Sequence, residues 1–138
     1  VIHFSPQEFL NNTQAHGQSS RIPVGLRRDE ALFHEMVHSL RQMAGVMDCS
    51  AHPNGFDTKD EVWAILTTNI YCSAFRRPLR RNHEDFEVMT DEEVSGFYKK
   101  FESMIGRMCR ELPVFTRNIA RITYIKFNPF RDYYERRR

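Results

Sequence analysis

Cysteine, glycine and proline are scarce in this chain, and neither sign of charge dominates it. Cys49, Cys72 and Cys109 are odd in number, far apart and without a Cys-x-x-Cys pair. That excludes a zinc ribbon and a disulfide framework and leaves room for one bridge at most. Six glycines and six prolines in 138 residues are too few for a disordered or low-complexity array. Twenty Lys and Arg against eighteen Asp and Glu leave a net charge of +2, so the overall balance demands no nucleic acid or other polyanion. Any basic patch has to be local. No apolar run approaches the roughly 18 residues of a membrane span, and Val1-Ile2-His3-Phe4-Ser5-Pro6 has neither the basic nor the apolar region of a signal peptide. Because it begins without Met, the chain reads as a domain of a longer polypeptide that carries any delivery signal. With 41% hydrophobic residues, residues 1–138 suit one globular domain.

What is present is mostly helical periodicity. Residues 1–28 are irregular, with short strands expected at Ile2 to Phe4 and Arg21 to Val24. Asp29 reads as the N-cap of a first helix whose apolar residues Leu32, Phe33, Met36, Val37, Leu40 and Met43 recur until Gly45. Thr58 or Asp57 caps a second helix, carrying Val62, Trp63, Ile65, Leu66, Ile70 and Tyr71 to about Ala74. A polar loop follows through Arg76 to Asp85, since Pro78 cannot sit inside a helix. Thr90 and Glu93 have capping-box spacing and open a third helix to about Glu111. Pro113 starts a fourth, through Phe115, Ile119 and Ile122, and a turn or two is expected after Asn128-Pro129. The fold class is therefore mainly α, an α+β arrangement with minor strands at most.

The first helix carries His34-Glu35-Met36-Val37-His38. Residues four apart lie one above the other with Cβ atoms about 5–6 Å apart, so the two imidazoles can share one zinc ion. A catalytic zinc site keeps one of its four positions for water, and Glu35, one step from His34, points toward that rim as the general base. Chance would produce this pattern in such a composition roughly 0.02 times, so coincidence is disfavoured. One protein ligand is then missing. His38 is followed by Ser39-Leu40-Arg41-Gln42-Met43-Ala44, so the third histidine of the metzincins does not occur. A carboxylate has to complete the set, and Asp60-Glu61 opens the otherwise apolar second helix. Glu61 is the favoured ligand, with Asp60 as its rival or as the partner that holds an imidazole tautomer.

Several segments together resemble a known family. They are His34-Glu35-Met36-Val37-His38-Ser39-Leu40-Arg41, Asp60-Glu61-Val62-Trp63-Ala64-Ile65, Thr68-Asn69-Ile70-Tyr71, Leu79-Arg80-Arg81-Asn82-His83 and Phe127-Asn128-Pro129. Over most of residues 31–130 the chain resembles the zinc metallopeptidase domain fused to the C-terminus of type VI secretion spike (VgrG) proteins. The resemblance implies a compact zincin-like, gluzincin-type domain in which the motif helix packs on a second, ligand-bearing helix. It also implies a secreted toxin, delivered with the rest of the spike protein into a bacterial periplasm or a host cell, with a protein or peptide substrate and an immunity protein as partners. Asp60-Glu61 stands where many such domains have Glu-Glu. His83 matches the family's Leu-Arg-x-x-His pattern and is the first choice to steady a developing oxyanion, ahead of Tyr71 and Tyr124.

Two other classes compete. Arg76, Arg77, Arg80, Arg81 and Arg136 to Arg138, with Tyr133 and Tyr134, are the raw material of a nucleic-acid module, although no recognition motif accompanies them. A catalytically inert adaptor is the third reading. Cys49 and His52 lack the companions of a second metal site.

Overall fold

The computed structural model describes residues 24–138. The strands expected at Ile2 to Phe4 and Arg21 to Val24 lie outside the described residues, except Val24, which is in a turn. Five helices follow: α1 (Arg28–Met43), α2 (Lys59–Ala74), α3 (Asp91–Glu111), α4 (Pro113–Ala120) and α5 (Pro129–Glu135). The mainly helical expectation holds. Among the described residues the only β pairing is two isolated bridges, Ala51 with Thr58 and Arg80 with Val88. No described helix is long and apolar enough to cross a membrane.

Local chemistry explains the helix ends. α1 stops where Gly45 takes φ +70°, a left-handed conformation that costs glycine no Cβ clash, and its turn is closed by Val46 N–H donating to Arg41 O. Thr58 Oγ1 accepts from Glu61 N at the start of α2, which fixes Glu61 at the third helical position. Thr90 and Glu93 form the expected reciprocal capping box of α3. Two details differ from expectation. The N-cap of α1 is Arg27, without a side-chain cap, and Asp29 sits inside the first turn, accepting from Tyr71 Oη and from Arg77. α4 ends at Ala120, so Ile122 lies beyond it.

α2 is the axis of the molecule. Val62, Trp63, Ala64 and Leu66 are wholly inaccessible, and α1 and α3 both pack on the helix, while α4 and α5 close on α3. Val62 and Leu66 each contribute about 1.5–3 kcal/mol by leaving water. Polar groups on so buried a helix need partners. Thr67 and Thr68 donate back to Trp63 O and Ala64 O. Asn69 pairs with both the N–H and the carbonyl of Arg80 at 2.8 Å, which pins the loop after α2 against the helix. Cys72 and Cys109 are buried, Cys49 is exposed, and all three are free thiols.

Candidate metal centre

Helical spacing places His34, His38 and Arg41 on the face of α1 that meets α2, and the cap at Thr58 presents Asp60 and Glu61 to them. His34 Nε2 and His38 Nε2 stand 3.1 Å apart. Glu61 Oε2 is 3.0 Å from His34 Nε2, and Glu61 Oε1 is 3.3 Å from His38 Nε2. The three side chains are 12%, 14% and 18% exposed, enclosed but reachable. Val37 beneath them is buried, whereas Met36 and Met43, expected on the apolar stripe of α1, are exposed.

These distances can be tested against an ion. Bonds of about 2.0–2.1 Å in a tetrahedral shell put neighbouring donor atoms about 3.3–3.4 Å apart, close to the separations observed. Glu61 Oε2 gives a second indication, since it is buried without a hydrogen-bond partner; His34 Nε2 is near it but not aligned as a donor. A buried carboxylate oxygen left without a donor and 3.0 Å from an imidazole nitrogen is well placed for a cation. The residues fit a metal ion, and among the described residues His34, His38 and Glu61 are the group whose ligand atoms all lie within 4.8 Å of one another.

The surroundings hold the ligands in place. His38 Nδ1 is 2.7 Å from Asp60 Oδ2, the carboxylate–imidazole pairing that turns the other ring nitrogen toward a metal. Asp60 therefore lies behind His38 and not among the ligand atoms. Burial pulls the His38 pKa down, yet the hydrogen bond to Asp60 and the charges of Asp60 and Glu61 outweigh it and raise the imidazole from 6.5 to about 9. Burial pushes Glu61 up, and the two imidazoles beside it nonetheless hold it well below the ordinary carboxylate range. Asp60 is lowered in the same way: burial opposes, and the bonds from His38 and Arg41 prevail. The local field favours a positive charge between imidazoles and carboxylates.

His83 joins the rim of this cluster. Its Nε2 is 3.5 Å from Glu61 Oε2, and its ring stacks over His34 with centroids 6.1 Å apart. Asp57 Oδ2 is 2.6 Å from His83 Nδ1, and His83 N–H donates to Gly55 O. Gly55, at φ +79°, lets the two loops meet: a Cβ there would fall 2.8 Å from Asn82 Nδ2. Glu35, next to His34 in sequence, is exposed on α1. Tyr71 and Tyr124 are not brought to the site, since Tyr71 binds Asp29 and stacks on Phe33, and Tyr124 lies open at 74% exposure. His52 turns to Pro53 O and packs on Phe56, apart from Cys49's exposed thiol.

Sequence reasoning missed Arg41 and Asp57 as members of this site. Arg41 carried a usable signal, since it lies three residues after His38 and so on the same helical face. Asp57 carried none, because its partner is 26 residues away.

Compared with known proteins, the chain matches no family model, no curated protein and no solved structure.

The geometry separates the two acidic candidates by role. Glu61→Ala should weaken metal binding about as severely as loss of one histidine, while Asp60→Ala should cost about 10–100-fold, as loss of a ligand's hydrogen-bond partner does. Competition titration against a chromophoric chelator measures both. The reverse order would make Asp60 the ligand.

Proposed function

We propose that this chain is a zinc-dependent metallopeptidase of zincin type that hydrolyses peptide bonds in a protein or peptide substrate. The observation that carries the reading is the convergence of His34 Nε2, His38 Nε2 and a Glu61 carboxylate oxygen within 4.8 Å, with Glu35 next to His34 in sequence and exposed on the same helix. His34, His38 and Glu61 would hold the zinc. When bound, the ion supplies Lewis acidity, making water acidic enough to lose a proton near neutral pH. Glu35 is the general base that takes this proton and later delivers it to the leaving amine. His83, oriented by Asp57, donates from Nε2 to the oxygen of the carbonyl under attack. Asp60 keeps the His38 tautomer that leaves Nε2 free for the ion.

The resemblance to spike-fused metallopeptidase domains supports a role as a secreted antibacterial effector, acting in a rival's periplasm or in a host cell and restrained in its producer by an immunity protein. The nucleic-acid reading has less to draw on. Arg77 is paired with Asp29 and Glu30, and Arg81 with Glu87 and Glu93. Arg136 lies over Tyr98 and Arg137 over the buried Tyr133.

Purified protein should cleave an unfolded protein substrate, lose that activity on removal of zinc by a chelator, and regain it when zinc is restored. Activity indifferent to chelation would overturn the reading.

A further inference from the structure

The most deeply buried charge in the described molecule is not explained by binding an ion or by cleaving a peptide. Arg41 is completely inaccessible to solvent, an expensive place for a guanidinium unless its donors are used. They are used in three directions. Nε donates to Asp60 Oδ1 at 2.7 Å, Nη1 to Glu111 Oε2 at 3.2 Å and Nη2 to Val46 O at 2.7 Å. Its Cζ lies 3.7 Å from the ring centroid of Trp63. One cation thus ties α1, the loop after it, α2 and the end of α3 to a single point. Arg107 extends the set, bonding Glu111 and Asp48 at 2.7 Å, while Asp48 N–H reaches Asp60 Oδ1 at 3.2 Å.

The direction of the Asp60 contact is what matters. One carboxylate oxygen is held by Arg41 and the Asp48 amide, and the other is left to His38 Nδ1. A carboxylate free to rotate could not fix an imidazole; one clamped on its far oxygen can. Resting on the metal-centre reading above, we propose that Arg41 is a positioning residue of that centre: through Asp60 it sets the ring orientation and tautomer of His38. Lysine cannot replace it, because an ammonium is a point charge without the planar fork that serves three partners at once.

Zinc affinity, measured by chelator competition, and the visible absorption of the cobalt-substituted protein test this in wild type, Arg41→Lys, Arg41→Met, Asp60→Ala and the corresponding double variants. Arg41→Lys and Arg41→Met should each weaken zinc about 10- to 100-fold and shift the cobalt bands. In the Asp60→Ala background the same changes should cost less than about twofold, since the link to His38 is already cut. Unchanged affinity in the Arg41 variants, or an equal loss with and without Asp60, would overturn the proposal and leave Arg41 a purely structural ion pair. If Arg41→Met does not fold, Arg41→Lys, which keeps the buried charge, decides. Failure of the underlying reading looks different, because wild type itself would then bind no zinc.

Discussion

Alanine in place of both His34 and His38 should take zinc content from about one ion per chain to none. In the proposed centre the two imidazoles would supply two of the three ligand atoms, and what remains is Glu61 alone. Structural zinc in zinc-finger peptides is held with about 10–16 kcal/mol, a figure that depends on several ligands offsetting the loss of hydration together. One carboxylate cannot do so. The single variants should already lose most of the affinity, and they separate two effects. His34→Ala leaves the His38–Asp60 pair intact, so its loss of zinc cannot be assigned to a collapsed second helix. His38→Ala also strands Asp60 against Arg41 and should lower thermal stability further. Elemental analysis after dialysis against trace zinc reads the content directly. Wild type and the double variant retaining equal zinc would remove the metal centre from the molecule.

The site was legible where its logic is local. The i, i+4 histidines and the acidic start of α2 follow from helix geometry over a few residues, and the structure brings His34, His38 and Glu61 together. Glu61 itself was found by a burial argument, since an acidic residue on a helix that is otherwise apolar needs a reason. What escaped notice depends on chain segments meeting at long range. Asp57 reaches His83 only because Gly55 lets two loops touch and Asn69 pins the second of them. Nothing in the neighbourhood of Arg41 announces that Glu111, 70 residues away, receives it. The N-cap of α1 was misplaced by two residues because Asp29, a good capping residue by type, is drawn away by Arg77 and Tyr71, an instance of tertiary partners overruling local preference. The exposure of Met36 has the same lesson in reverse: periodicity marks an apolar stripe but not which part of it finds a neighbour.

Glu35→Gln should leave zinc content and thermal unfolding unchanged while lowering the turnover of a peptide substrate about 100- to 10,000-fold, the usual contribution of a general base. That loss corresponds to about 2.7–5.5 kcal/mol of transition-state stabilisation. The argument rests on what Glu35 is and what it is not. It is exposed on α1, so an uncharged isostere removes no core contact and the fold has no reason to weaken. It is not among the three ligand side chains, so the ion should be held as before. The amide keeps the length and shape of the carboxylate but offers no basic oxygen to accept a proton from water and none to return it to the leaving amine. A peptidase that cleaves in the target cell should therefore lose its toxicity with this one change, whereas an adaptor that acts by binding should keep its effect. Undiminished killing by a well-folded, zinc-loaded Gln variant would turn the assignment from enzyme to inert adaptor, with the metal serving only to hold α1 against α2.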